Sequence, residues 1–164
     1  QGGQPIISYN FGANNPERVR KGFRLLLLSS VIYAACIWAV AELLPGVFVT
    51  IFTNDLQLAE FARWAMRIYM AAVVLMGAQI ACQQTFIAFG NSKISAFLAM
   101  FRKIIVLIPL IYILPVFLED NVQAVFLAEP IADLIAVATT LILFRKNFKK
   151  VLVEMKQKSE TQDI

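Results

Sequence analysis

Apolar residues run along this chain in long blocks separated by short polar or basic segments, and a helix that crosses a bilayer needs about 20 mostly apolar residues. Residues 25–44, LLLLSSVIYAACIWAVAELL, form the first block, closed by Pro45-Gly46. Apolar character continues through Val47–Phe52, so the pattern predicts a helix that tilts or kinks beyond the proline. Thr53-Asn54-Asp55 is a turn that can cap the following helix. Residues 55–67 read as an amphipathic lead-in, with Glu60, Arg63 and Arg67 at helical spacing. The second span covers Ile68–Phe89 and stops at Gly90-Asn91-Ser92-Lys93. A third helix starts near Ile94. Arg102 and Lys103 are expected at the headgroup boundary with their stems snorkelling, which leaves Ile104–Leu118 in lipid, bent by Pro109 and Pro115. Glu119-Asp120-Asn121 makes the next turn, Val122–Phe144 is the fourth span, and a polar tail begins at Arg145.

The predicted fold class is therefore all-α, a polytopic membrane helix bundle of about four transmembrane helices plus the end of a fifth. Residues 1–13 read as the end of a truncated transmembrane helix and 14–24 as a basic cytoplasmic loop. Residues 25–144 are the four-helix region and 145–164 the tail. A chain that begins at Gln1, with neither an initiator methionine nor a secretory signal, reads as a piece of something longer.

Composition removes the alternatives. The chain has 164 residues, 59% of them apolar and 16% charged, with a mean hydropathy of +0.69. Soluble domains sit near about 45–50% apolar and about 25% charged. A water-soluble globule of this composition would expose large apolar patches, so disorder, a nucleic-acid-binding tail and a disulfide scaffold are excluded. The net charge of +4 reflects topology, not a nucleic-acid partner. Arg18, Arg20, Lys21 and Arg24 precede the first span, Lys93, Arg102 and Lys103 separate the second from the third, and Arg145, Lys146, Lys149 and Lys150 follow the fourth. The alternate connections carry Asp55, Glu60, Glu119 and Asp120, with Arg63 and Arg67 as the basic exceptions. Basic excess marks the cytoplasmic side, so the C-terminus of this multi-pass chain is expected inside; the membrane expected is the inner (plasma) membrane.

Polar groups that are costly in lipid are the best pointers to function. Glu129 and Asp133 are one helical turn apart and share a face, and Pro130 between them frees a backbone carbonyl. Such a pair can hold a cation or carry protons; alternatively both acids lie near the outer headgroups and serve only packing. Gln79 and Gln83 likewise share a face of the second span, as interhelical glue or as the lining of a wet cavity. Trp38, Tyr69, Phe86, Phe89, Tyr112 and Phe126 are candidates for a cavity wall that stacks on flat cations. Cys36 and Cys82 lie in apolar runs without metal-ligand spacing, and the chain has no histidine. No nucleophile–base pair, metal cluster or phosphate loop is present in the sequence, and an enzyme is not expected.

The opening segment QGGQPIISYNFGANNPERVRK resembles the multidrug and toxic compound extrusion family, in particular its MepA-like and DinF-like bacterial branches. Their pattern G-x-Q-P-x-x-x-Y-N-x-G-A ends a helix ahead of a short basic loop. The resemblance continues through Ile51–Asp55, Gln79, Gln83–Gly90, Asn91-Ser92-Lys93, Pro109 and Ala128–Asp133. It implies a twelve-span architecture in two six-helix lobes, of which this chain would be the end of the eighth helix and helices nine to twelve. It also implies export of cationic amphipathic drugs in exchange for sodium or protons by alternating access, without any other cofactor. The expected partners are membrane lipids, those small molecules and the remaining helices. Gln4, Tyr9 and Asn10 would lie near the central cavity. Some branches place a cation-binding acid in the tenth helix, and this sequence has none there, so the coupling ion and the lobe that carries its site stay open. Four helices cannot rock one lobe against another. A lipid-linked precursor flippase of the same superfamily, or a small non-transporting membrane scaffold, are the alternative readings.

Overall fold

The computed structural model describes residues 2–162, and among them all regular structure is helical. Helix α1 covers Gly3–Gly12 and α2 covers Pro16–Leu43. Between them Asn14 takes the left-handed conformation (φ 51°), which turns the chain back on itself. The Asn15 side chain then accepts the Arg18 N–H at 3.0 Å, and Pro16 supplies a preset φ at the first helical position. The segment 14–24, expected as a basic loop, is for these reasons helical from Pro16 onward, and its arginines are the first turns of a 28-residue helix.

Helix α2 breaks at Leu44 because a residue before proline is pushed out of the helical region, and Pro45 starts the short α3 (Pro45–Phe52). Asp55 caps α4 (Leu56–Met70), its carboxylate accepting the N–H groups of Gln57 at 2.9 Å and Leu58 at 3.4 Å. Helix α5 (Val73–Ala88) follows α4 across a 41° bend at Ala71-Ala72, so the lead-in and the second span are two helices set at an angle.

The third span is continuous over Ser92–Phe117 but not uniformly α-helical. Helix α6 (Ser92–Met100) passes into a π-helical segment, Phe101–Leu107, before α7 (Ile108–Phe117). Pro109 explains the widening. It has no N–H to give, and its ring clashes with the carbonyl one turn back. The ladder slips instead to a wider register, with the Ile108 N–H donating to the Lys103 carbonyl. Finally Asp120 accepts the N–H groups of Val122 and Gln123, opening α8 (Asn121–Gln162), a 42-residue helix with Pro130 inside it. The polar tail continues that helix, and its Leu152 and Met155 pack with Ile7, Val19 and Phe89.

Among the described residues three helical stretches are long and apolar enough to cross a membrane, and the bent α4–α5 pair makes a fourth if it is one span. The bundle centres on α5, which packs against α1, α2 and α8. Without water to drive apolar surfaces together, close helix approach in lipid depends on small residues. Gly77 accordingly sits against the Ser30 carbonyl and Ala34 of α2. On α8 the buried stripe Ala124, Ala128, Ala132 and Ala136 repeats every four residues. The basic end of the bundle is closed by aromatic packing, with Phe23 4.6 Å from Phe144 and Phe86 5.4 Å from it, ring centre to ring centre. Large apolar side chains such as Tyr33, Leu43, Val116 and Phe117 point outward, the inverse of a water-soluble protein.

Candidate functional site: an ion cluster inside the third and fourth spans

Arg102 stands in the π-helical segment of the third span beside Lys103, with apolar residues before and after the basic pair. The sequence reading sets it at a headgroup boundary with its stem snorkelling; here two carboxylates of the fourth span hold its guanidinium. Its Nη2 donates to Glu129 Oε1 at 2.9 Å, and its Nε donates to Asp133 Oδ1. The third helix begins at Ser92, so Arg102 lies about 15 Å along it at 1.5 Å per residue, level with the turn of α8 that carries its partners. The wider π turn also displaces its side chain relative to an α-helical register.

One turn of α8 supplies both acceptors, and Pro130 between them is itself buried. The Arg102 and Glu129 side chains are 15% and 14% exposed and that of Asp133 only 2%, so the pairs are largely withdrawn from solvent. Charge-assisted bonds of this kind are roughly twice as strong as neutral ones. Tyr69 of α4 approaches Glu129, and the exposed Lys103 contributes positive charge near Asp133. With all three groups ionised, Arg102, Glu129 and Asp133 sum to one negative charge. The arrangement can therefore take up one proton or one cation's worth of positive charge, or can fix the third span to the fourth.

The remaining sequence candidates are not gathered here. Gln4, Tyr9 and Asn10 lie on α1, which packs on α2 and α5. Tyr9 is exposed, whereas Asn10 is buried and donates to the Ile6 carbonyl at 2.7 Å within its own helix. Gln79 of α5 is buried with its side-chain oxygen unpaired, and Gln83 is half-buried. Phe86 and Phe89 are core residues, not cavity wall, because the aromatic packing of α1, α2, α5 and α8 consumes their faces. Phe126 packs edge-on against Phe61 and Trp64, while Tyr112 points outward. Arg102 is the residue that the sequence reading missed. Its signal was a guanidinium inside a 26-residue apolar helix, opposite two acids in the next span.

Comparison with known proteins places this bundle. The MatE family model matches residues 1–113. Multidrug export protein MepA of Staphylococcus aureus, from strains NCTC 8325 / PS 47 and COL, is 27% identical over 147 residues, which is 88% of this chain and 31% of the relative. Solved structures of a multidrug resistance MATE family transporter of the MOP superfamily superimpose in both the outward-facing conformation (TM-score 0.83) and the inward-facing one (0.84). Both are 15% identical and cover 91% of this chain and 34% of the other. The chain thus spans about a third of the length of the proteins it matches. The motifs from Gln4-Pro5 to Pro109 fall within the family match, and the helical bundle has the family's fold. This chain belongs to the MatE family.

Proposed function

We propose that the chain is the C-terminal part of a secondary active multidrug exporter, which moves cationic amphipathic drugs out of the cell by alternating access in exchange for sodium or protons. The observation that carries this reading is the equal fit of one bundle to an outward-facing and an inward-facing transporter, with TM-scores of 0.83 and 0.84. A unit that keeps its internal packing in both states is what rigid-body rocking of one lobe against another requires. The multidrug export proteins among its relatives support the substrate class. The scaffold and flippase readings have no observation in their favour. In this reading the protein lies in the plasma membrane with the tail after Phe144 in the cytoplasm.

Within the exporter, the Arg102–Glu129–Asp133 cluster is the charge device of this segment. Binding a proton or cation there cancels its one negative charge and loosens the hold of Arg102 on α8, so occupancy and helix packing are coupled. The test is export of a planar cationic dye from cells or proteoliposomes carrying the full-length protein, driven in turn by a sodium and by a proton gradient. Export under one gradient supports the function and names the ion. No export under either gradient overturns it. Asp133→Asn is expected to reduce export severalfold at normal expression; unchanged export would remove the cluster from coupling while leaving the exporter reading intact.

A further inference from the structure

Where α2 begins and α8 leaves the apolar slab, the two helices run antiparallel and leave a cavity of about 680 Å³ between them. Its floor is apolar, built from Phe23, Leu27, Phe144 and Phe148. Its rim is basic, built from Arg20, Arg24, Arg145 and Lys149. Arg20 and Leu27 are seven positions apart on one helix, so the cavity runs about 10 Å from charged rim to apolar floor at 1.5 Å per residue. A second, more polar groove of about 1130 Å³ adjoins it, sharing Arg20 and Arg24 and adding Lys21, with Glu17 as its one acid. Among the described residues Arg20, Lys21, Arg24, Arg145 and Lys149 form no ion pair.

An apolar slot whose mouth is ringed by arginine and lysine repels a cationic drug, so this cavity is unsuited to the substrates proposed above. It also disfavours a zwitterionic lipid, which would bring a quaternary ammonium to the same rim. Its complement is an anion attached to hydrocarbon, and the charge distribution of the chain puts this end of the bundle at the inner headgroup layer. We propose that the cavity binds an anionic phospholipid of the cytoplasmic leaflet. The phosphate lies among Arg20, Arg24, Arg145 and Lys149, the polar headgroup extends into the adjoining groove, and an acyl chain lies over Phe23, Phe144 and Phe148. The lipid would clamp the start of α2 to the end of the fourth span. This inference goes beyond the export reading and does not depend on it.

The test is lipid retention by the purified full-length protein, read by native mass spectrometry and by thermal melting. Phosphatidylglycerol, phosphatidylcholine and inorganic phosphate are compared. Phosphatidylglycerol is expected to be retained over phosphatidylcholine and to raise the Tm, an effect that phosphate alone does not reproduce and that added salt weakens. The paired variants Arg20→Gln/Arg24→Gln and Arg145→Gln/Lys149→Gln each remove two charges, which implies about a tenfold or greater loss of retention. All four side chains are exposed, so folding does not depend on them. Equal retention of the two lipids, stabilisation by phosphate alone, or unchanged retention in both pairs would each overturn the site.

Discussion

Arg102 Nη2 lies 2.9 Å from Glu129 Oε1, a contact between residues 27 positions apart that ties the third span to the fourth inside the apolar part of the bundle. The same guanidinium holds Asp133, whose side chain is almost completely buried. Both carboxylates bond to one guanidinium, so the cluster's stability rests on Arg102 more than on either acid.

Replacing Arg102 by glutamine leaves two acids facing each other in a low-dielectric setting. Breaking a buried pair by removing one partner costs about 3–5 kcal/mol, largely as the penalty of the charge left behind. Arg102→Gln is therefore expected to lower the Tm substantially in mixed micelles. The combined variant Arg102→Met, Glu129→Gln and Asp133→Asn removes all three charges and should recover most of the loss. A single variant that melts like the parent would show that the cluster does not hold the spans together.

Much of the fold was legible because lipid imposes long apolar blocks with Pro, Gly and Asp at their ends. The break at Pro45, the cap at Asp55 and the turn at Glu119-Asp120 follow from local chemistry that three or four residues suffice to state. The cluster was not legible in the same way. Charges normally end the apolar part of a span, so Arg102 and Lys103 mark a boundary within a helix whose start near Ile94 agrees with Ser92 to two residues. Arg102 and Asp133 lie within about one helical turn of the same sequence distance from the turn at Glu119-Asp120, and folding the two spans as a hairpin brings them within side-chain reach. That comparison of depths, which needs the pairing of two elements, was the available signal. Likewise the aromatic candidates Phe86 and Phe89 differ from lipid-facing phenylalanines only by which neighbour each face meets, and periodicity alone does not say.

Gly77 tests the packing of α5 on α2. A Cβ there would stand 2.7 Å from the Ser30 carbonyl oxygen and 3.0 Å from the Ala34 Cβ, and the nearer obstacle is backbone. Gly77→Val must push the helices apart, at a cost of about 1–3 kcal/mol for overpacking. Gly12→Ala meets nothing within 4 Å and is expected to melt with the parent. Thermal unfolding of the two variants side by side checks the contact, and equal melting would place α2 farther from α5 than described.

Topology has its own test. The turn before α8 and the end of the same helix lie on opposite sides of the bundle if α8 crosses the bilayer once. Single cysteines at Asp120 and Lys158, in a background with Cys36 and Cys82 replaced by serine and alanine, should react with a membrane-impermeant maleimide from opposite faces. In intact cells Asp120→Cys labels and Lys158→Cys does not. Labelling of both from one face would reverse the assignment of the tail and with it the leaflet of the lipid site.

Pro109 sets where Arg102 points. With alanine at 109 the missing N–H returns and the ring's clash disappears, so the Phe101–Leu107 segment is free to tighten into an α-helix. Removing the wide turn rotates the residues before it relative to α8 and withdraws Arg102 from Glu129 and Asp133. Pro109→Ala should then destabilise the bundle even though alanine is the better helix former by about 3 kcal/mol in isolation. Its effect should overlap with that of Arg102→Gln, because both end in the same broken pair. In a double-mutant cycle on Tm and unfolding free energy, the two losses are expected to fall short of additivity by more than about 0.5 kcal/mol. Additive losses would mean that Arg102 keeps its partners whatever the helix register, and that the π segment serves the proline alone.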